Sequence, residues 1–467
     1  MTRRSVTADD YESLRAAACR VLDANRLVAG RSTLPAPGQY PHQWNWDSAF
    51  IAIGLAGVDA HRAIDELEAL FDGQWANGMV PHIVYNADEA FDRTYFPQSW
   101  RWGVETAEPG TGPPVGVKTS GITQPPVAAI AAAQIARAHV DEHVTAGLRR
   151  LYPKLLASHR FLLGERDPER TGLAFQVHPW ESGLDDSPRW KGPVDAVVID
   201  RARLPSYKRL DTSLVPANER PTAADYDCYV FLIEVYKEHA YSSSALFRHC
   251  PFLVQDVLFN ALLHRANEAL VEIAELIGET TEEIGRWMDR TRCAFSERLW
   301  DKCEGRYLDA DLRSGRPLDQ NTIATFVPLY AGLPSGDQAE RLVRQHLTNV
   351  EEYWPASGRP HFVVPTVSKN SEHWEPSRYW RGQIWLNTNW LLIEGLQRYG
   401  FVEEAERVRA DTLSLLACPL PGGDDWWFCE YFNPTNGNAH GTVGFSWSAA
   451  VALALTEPSP PAPHASS

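Results

Sequence analysis

Two short segments combine carboxylates with aromatic residues and are the part of the sequence best suited to chemistry. Residues 180–190 (WESGLDDSPRW) place three acidic side chains between two tryptophans, and residues 426–434 (WWFCEYFNP) surround Glu430 with aromatic rings. A proton donor and a proton acceptor facing each other across an indole-walled pocket suit the cleavage of glycosidic bonds. Sugar rings stack their C–H faces on aromatics, while their hydroxyls need fixed polar partners.

Each acidic residue of the first segment, Glu181, Asp185 and Asp186, is a candidate general acid. The Ser182-Gly183 turn can direct Asp185 into a cleft, and an indole-rich wall of low polarity raises the pKa of a carboxyl, as a general acid requires. Alternatively, all three are turn residues of a surface loop, with Arg189 paired to one of them. The opposing Glu430 would stay ionised and activate water, at a separation that the sequence does not give.

Residues 40–47 place aromatic and acidic side chains at the start of the second predicted helix. Trp44 and Trp46 are candidates for a sugar platform, with Asp47 binding hydroxyls. In the alternative interpretation Asp47 is the helix N-cap and the tryptophans form a hydrophobic staple. The pattern alone leaves both interpretations open.

Other segments carry weaker signals of the same kind. His82, in residues 74–82, is as well explained by a structural histidine as by a ligand. Gln124 precedes a proline-led helix, where its amide can hold a hydroxyl or tie down a loop. Residues 378–385 combine two arginines with three aromatics, which also suits packing at a helix start, and Arg220 is ordinary by itself.

The bulk composition predicts a soluble globular protein and limits its partners. The 467 residues are 44% hydrophobic with a formal charge of -16, which argues against nucleic acid or an anionic membrane as the main partner. An anionic substrate would need local arginines. The 17 tryptophans gather in a few segments, which is typical of a lined pocket.

We expect a cytoplasmic protein. The N-terminus has no apolar run of the signal-peptide kind, and later apolar stretches such as 127–135 are too short to span a bilayer. The seven scattered cysteines have no metal-ligand spacing, so reduced buried thiols are expected. For Cys429, beside Glu430, a packing role is favoured. The oligomeric state stays open, including a homo-oligomer.

The apolar periodicity is helical almost throughout and predicts an all-α fold. Alternation of buried and half-exposed helices favours an (α/α)6 barrel over a solenoid, since no fixed repeat is present. We expect one domain over 1–457, with loop insertions near 78–122 and 165–222, a disordered tail over 458–467, and small hairpins near 305–311 and 430–437 at the active-site mouth. The predicted helices span 9–27, 47–56, 60–75, 125–139, 141–163, 226–239, 255–277, 282–299, 321–330, 338–346, 382–399, 402–416 and 441–455.

Taken in order, these motifs resemble glycoside hydrolase family 63, and most closely its short bacterial members that act on glucosylglycerate and mannosylglycerate. The resemblance covers roughly residues 10–456, although Gln383 stands where the family usually carries proline. The matching segments are 40–50, 74–82, 119–127, 180–190, 379–382 and 430–434.

The resemblance implies an inverting α-glycosidase on an (α/α)6 barrel that uses no metal or other cofactor, with Asp185 as general acid and Glu430 as general base. It also implies that an arginine and tyrosines hold a glycerate carboxylate, which resolves the charge problem. The residues matched around the sugar are Tyr40, Trp44, Trp46, Asp47 and Gln124. Those matched around the leaving group are Tyr95, Arg220, Tyr226, Tyr379 and Trp380, and further candidates for substrate binding are Gly183 and Trp385.

The sequence is compatible with three functions. The first is hydrolysis of glucosylglycerate or mannosylglycerate with release of the hexose. The second is exo-acting hydrolysis of short α-gluco-oligosaccharides or disaccharides, with neutral sugars on both sides. The third is a non-catalytic carbohydrate-binding barrel, against which the presence of both Asp185 and Glu430 counts.

Overall fold

Helices with apolar faces build most of this molecule, and its strands are short and local. The structure is a computed structural model and describes residues 5–27, 31–356, 362–417 and 426–457. The α-helices are Tyr11–Ala24 (α1), Asn45–Leu55 (α2), Ala60–Phe71 (α3), Glu89–Asp92 (α4), Ala128–Ala138 (α5), Glu142–Arg160 (α6), Lys191–Asp195 (α7), Ala223–Glu238 (α8), Ser243–His249 (α9), Val257–Ile277 (α10), Glu282–Ala294 (α11), Val327–Tyr330 (α12), Gly336–Arg341 (α13), Leu386–Arg398 (α14), Val402–Leu416 (α15) and Ser446–Leu455 (α16).

Six of these helices contact one another in a closed ring, in the order α2, α5, α10, α12, α14, α16 and back to α2. Every residue of α2 is buried, as an inner helix packed on all sides requires. A second set packs outside the ring: α1 against α16, α3 against α2, α6 and α11 against α10, and α15 against α14. The N-terminal ends of the inner helices α2, α14 and α16 carry the residues of the candidate site described below.

The strands form four small antiparallel sheets. β1 pairs with β2, β6 lies between β3 and β7, β4 pairs with β5, and β8 pairs with β9. They are Gln43–Trp44 (β1), Ile83–Val84 (β2), Val254–Gln255 (β3), Trp300–Asp301 (β4), Arg306–Tyr307 (β5), Asp309–Asp311 (β6), Arg316–Leu318 (β7), Cys429–Phe432 (β8) and Ala439–Val443 (β9).

Most of the predicted helices and hairpins are present, but several boundaries differ because contacts with distant residues determine the local conformation. Helix α15 has the predicted bounds, whereas the helix predicted over 441–455 begins only at Ser446 because 439–443 pairs with β8. The predicted hairpin arm near 305–311 is divided between two sheets, β5 in one and β6 in another. The helix over 321–330 is a 3-10 turn followed by α12, and α9 was not predicted.

Two other expectations concern thiols and membranes. Cys228, Cys250 and Cys429 are buried as expected, whereas Cys293 and Cys303 are exposed, so the expectation of buried thiols is wrong for these two. Cys19, Cys228, Cys250, Cys293 and Cys303 carry free thiols. Cys418 and the tail predicted to be disordered lie outside the described residues. In the described part of the chain, every helix is too short or too polar to cross a bilayer.

The close contact between α2 and α16 depends on Gly54. A Cβ at this position would lie 2.5 Å from the Cα of Ala450, and backbone cannot yield as a flexible side chain does. We therefore expect Gly54→Ala to lower the free energy of unfolding, by roughly 1–3 kcal/mol as in overpacked cores. Denaturant unfolding measures this change.

The control is Gly285→Ala in α11, where an added Cβ meets nothing within 4 Å. Alanine favours a helix over glycine, so this variant should be neutral or more stable by up to about 1 kcal/mol. Equal effects of the two substitutions would show that the α2–α16 contact is not tight.

Candidate active site

One pocket with an empty volume of about 630 Å³ gathers the residues singled out from the sequence. All of the predicted catalytic and substrate-binding residues line it. The lining residues are Pro35, Tyr40, Trp44, Trp46, Asp47, His82, Tyr95, Gln124, Trp180, Gly183, Asp185, Arg220, Tyr226, Tyr379, Trp380, Trp385, Glu430, Phe445 and Trp447.

Indole rings form a rigid wall of this pocket. Trp380 and Trp385 stack with ring centroids 3.7 Å apart and an angle of 6° between their planes. Trp46 meets Trp447 edge to face at 5.2 Å. Gly183 adopts a left-handed conformation, and a Cβ there would lie 2.7 Å from the Trp46 ring, so glycine lets this loop approach the wall. Stacked aromatic faces of this kind suit the C–H faces of a sugar.

Glu181 is a structural residue. Its carboxylate is fully buried, forms an ion pair with Arg166 at 3.0 Å and accepts a hydrogen bond from the backbone N–H of Val177. These partners hold Glu181 away from the pocket, which it does not line. Its candidacy as general acid is therefore not supported by the geometry.

Asp186 ties two loops together. Its Oδ2 accepts a hydrogen bond from Arg378 Nε at 2.9 Å, and its Oδ1 accepts one from Arg381 Nε at 3.2 Å. The two arginines flank Tyr379 and Trp380, which line the pocket. The carboxylate next to Asp185 thus anchors both the loop of the candidate acid and the loop of the aromatic wall.

Asp185 is the acidic residue of the first segment that faces the pocket. Among the described residues its carboxylate has no ion-pair partner within salt-bridge distance, and Tyr229 donates only to its backbone carbonyl. Burial, with smaller contributions from the nearby charges of Asp186 and Glu430, raises the pKa of Asp185 to about 7, against an opposing effect of Arg220. A carboxyl of this pKa is about half protonated at pH 7, so a large share of the molecules can donate a proton.

The alternative of a solvated surface loop is wrong. Arg189 does not pair with an acid of its own segment at the surface. It is buried and contacts Asp256 at 2.8 Å and Asp309 at 3.1 Å. Packing of Trp190 beneath the guanidinium fixes the end of the loop in the core.

Glu430, on β8, has a different environment from that of Asp185. Its Oε1 accepts a hydrogen bond from the Tyr40 hydroxyl at 2.7 Å and lies 3.6 Å from Arg220 Nη1, while its Oε2 accepts the backbone N–H of Thr442. Burial raises the pKa of Glu430, but the charge of Arg220 and the bond from Tyr40 oppose this effect. These donors favour the ionised carboxylate that a general base needs.

Arg220 carries the one permanent positive charge among the described residues that line the pocket. It donates to the hydroxyl of Tyr40 at 3.0 Å, contacts Asp211, and lies over the ring of Tyr379 at 4.4 Å from the ring centre. The aromatic contact and the hydrogen bonds fix its orientation. A buried guanidinium held in this way is suited to bind a carboxylate.

The N-terminus of α2 contributes three lining residues. The N-cap of this helix is Trp44, not Asp47, so the capping interpretation of Asp47 is wrong. Asp47 is buried at the pocket, and burial raises its pKa. Gln124 accepts the backbone N–H of Trp46 through its side-chain oxygen.

Some lining residues were missed or left undecided by the sequence reasoning. His82 bonds to Ser120 at 2.8 Å and stacks on Trp180, and burial lowers its pKa, so it is a neutral imidazole in the wall. Phe445 and Trp447 were predicted as part of a plain apolar helix. Gly444, just before them, was the available signal that the helix begins later.

Comparisons with known proteins identify relatives of the whole chain. Residues 40–448 match the family described as the mannosylglycerate hydrolase MGH1-like glycoside hydrolase domain. Mannosylglycerate hydrolase from Thermus thermophilus is 43% identical, over 92% of this chain and 98% of that protein. Glucosylglycerate hydrolase from Mycolicibacterium hassiacum is 35% identical, over 94% of this chain and 97% of that protein.

A solved structure is similar over the same extent. The crystal structure of a GH63 mannosylglycerate hydrolase from Thermus thermophilus in complex with Tris superposes with a TM-score of 0.85. The two chains are 41% identical, and the match covers 95% of this chain and 100% of the other.

The contrast between Glu181 and Asp185 predicts opposite effects on stability. Glu181→Gln breaks a buried ion pair and should lower the free energy of unfolding by about 3–5 kcal/mol. Between the ordinary pKa of an aspartate and about pH 7, Asp185 is more protonated in the native state than in the unfolded state. The free energy of unfolding therefore falls as the pH rises through this range.

Asparagine cannot ionise, so the free energy of unfolding of Asp185→Asn at pH 8 should exceed that of the parent by roughly 1–3 kcal/mol. Near pH 4 the two proteins should have similar free energies of unfolding. Denaturant unfolding at both pH values measures this. If Asp185→Asn were as destabilising at pH 8 as Glu181→Gln, a structural role for Asp185 would follow.

Proposed function

Because the chain belongs to the mannosylglycerate hydrolase MGH1-like members of glycoside hydrolase family 63, we propose that it releases the hexose from mannosylglycerate or glucosylglycerate. It is a glycosidase by this membership. The observation that carries the mechanism is the pair Asp185 and Glu430, which share one indole-walled pocket and have different electrostatic environments.

The architecture that presents this pair is an (α/α)6 barrel. The closed ring of six helices and the helices packed outside it support this arrangement. The family match over 40–448 supports one catalytic domain over 1–457. The free thiols agree with a cytoplasmic enzyme.

Asp185 acts as the general acid. It transfers its proton to the glycosidic oxygen as the bond from that oxygen to the anomeric carbon breaks, so glycerate leaves as a neutral alcohol at that position. A pKa of about 7 supports this role, since a large share of the resting enzyme carries the proton near neutral pH and the group ionises as the bond breaks.

Glu430 acts as the general base in a single displacement. It takes a proton from a water molecule while the water oxygen bonds to the anomeric carbon from the opposite face, and the configuration inverts. The bond from Tyr40 and the charge of Arg220 support an ionised Glu430. Solvent later exchanges the two protons and restores the resting state.

The remaining lining residues divide between two subsites. Arg220 binds the glycerate carboxylate, helped by the hydroxyls of the neighbouring tyrosines, because no other permanent cation lines the described pocket. The sugar is bound by the indoles and by polar side chains. The leaving-group residues are Tyr95, Arg220, Tyr226, Tyr379 and Trp380, and the sugar residues are Tyr40, Trp44, Trp46, Asp47, Gln124, Gly183 and Trp385.

Asp185→Asn and Glu430→Gln should each lower kcat at least about a thousandfold, while sugar binding is largely retained. The assay is hydrolysis of mannosylglycerate and of glucosylglycerate, with the released hexose followed by NMR. Initial release of the β-anomer is expected from the parent enzyme.

Glu375→Gln is the control, since Glu375 is half exposed, outside the pocket, and near Arg378. It should keep turnover near that of the parent. Near-native turnover by either pocket variant would refute the assigned roles, and initial release of the α-anomer would refute inversion. If the enzyme hydrolysed only disaccharides of glucose, the roles of Asp185 and Glu430 would stand but the proposed glycerate subsite would be wrong.

Arg220→Lys tests the leaving-group subsite. Lysine keeps the charge but loses the planar bidentate donor, so the variant should discriminate less between glucosylglycerate and glucosylglycerol, which lacks the carboxylate. We expect the ratio of kcat/KM for the two substrates to fall by about tenfold. Because Arg220 also contacts Glu430, kcat for both substrates should fall together, and this shared effect cancels in the ratio. An unchanged ratio would place the carboxylate elsewhere.

A further inference from the structure

A group of histidines lies at the end of the helix ring away from the pocket. His61 is in the first turn of α3, His139 ends α5 and Asp141 precedes α6. The pocket residues lie at the other ends of α2 and α5, and an eleven-residue helix is about 16 Å long. The group therefore serves no direct role in the pocket.

The geometry of the group is convergent. The Nε2 atoms of His61 and His139 both approach one oxygen, Oδ2 of Asp141, at 2.7 Å and 3.1 Å. The ligand atoms of the three residues all lie within 4.8 Å of one another. Ligand atoms that are each about 2.0–2.2 Å from a tetrahedral metal lie roughly 3.3–3.6 Å apart, so small rotations of the exposed histidine side chains would bring the three atoms to these separations.

The carboxylate is oriented before any ion binds. Oδ1 of Asp141 accepts the backbone N–H of Val144 at 2.8 Å, which is the N-cap bond of α6. This bond leaves Oδ2 free to act as a single-oxygen ligand toward the histidines. The ring of His143 packs on that of His61, with centroids 4.2 Å apart, and restricts its rotation.

The local charge also favours a cation. Besides Asp141, the carboxylates of Asp59 and Asp65 act electrostatically on His61 and add negative charge around the group. Two imidazole nitrogens and one carboxylate oxygen form a mixed ligand set that suits Zn²⁺ or Co²⁺ rather than Mg²⁺ or Ca²⁺, which prefer all-oxygen sites.

We propose that His61, His139 and Asp141 form a structural site for one divalent transition-metal ion of the Zn²⁺ class. The two histidines bind through Nε2 and Asp141 through Oδ2, with water completing the shell. A histidine that is neutral in the metal-free form carries its ring proton on Nδ1 once Nε2 binds the ion, whereas a protonated histidine releases one proton to solvent. The ion joins the start of α3 to the connection between α5 and α6, and thereby fastens two neighbouring helix pairs together.

The test titrates the EDTA-treated full chain with ZnCl₂ by calorimetry near pH 8 and records thermal unfolding with and without Zn²⁺. We expect one Zn²⁺ per chain and a higher unfolding midpoint with the ion. His61→Ala and His139→Ala should each weaken the affinity by more than about tenfold and remove the shift in midpoint. Both side chains are about half exposed, at 51% and 53%, so the metal-free variants should unfold like the parent.

His373→Ala is the matched control, because His373 also lies beside a carboxylate, Glu372, but no second histidine of the described residues joins them in a possible metal site. It should bind Zn²⁺ like the parent. Absence of saturable binding by the parent, or equal binding by His139→Ala, would overturn the proposal. Hydrolysis with and without the ion should be equal, so failure of this proposal is distinct from failure of the proposed activity.

Discussion

One buried guanidinium sets the electrostatics of the pocket. Arg220 lowers the pKa of both Asp185 and Glu430, but it contacts only Glu430, directly at 3.6 Å and through the hydroxyl of Tyr40. Burial acts on both carboxyls in the opposite direction. The contact therefore decides which carboxyl is stabilised as an anion, and this difference is the basis for the separate acid and base roles that we propose for two chemically similar groups.

This arrangement requires a rigid frame, because the charges come from distant parts of the sequence. Arg220 precedes α8, Tyr40 precedes α2, and Glu430 lies on β8 before α16. Direct packing of α2 on α16 brings the last two together. Fixed dipoles and charges of this kind need no reorganisation during the reaction, which is the main physical advantage of building a site on helix ends.

The sequence allowed prediction of most helices and of the pocket's composition, for identifiable reasons. An amphipathic segment such as Val402–Leu416 needs only its own periodicity, and the framed carboxylates stand out by local context. The partners of buried charges were not predictable in this way. The structure pairs the candidate acid Glu181 with Arg166. Residues 441–443 of β9 were predicted as helix because only the partner strand reveals their extended conformation. The pairing of residues far apart in sequence and the burial of side chains depend on the tertiary structure, and a local sequence pattern does not determine them.

The tie from Asp186 to Arg378 and Arg381 has a consequence for how this side of the pocket can be engineered. The loop that carries Asp185 and the loop that carries Tyr379 are mechanically one piece. Replacing either loop alone by one that lacks these residues would leave a buried carboxylate or two guanidinium groups without partners. The two loops should therefore be inherited, exchanged and redesigned as a single module.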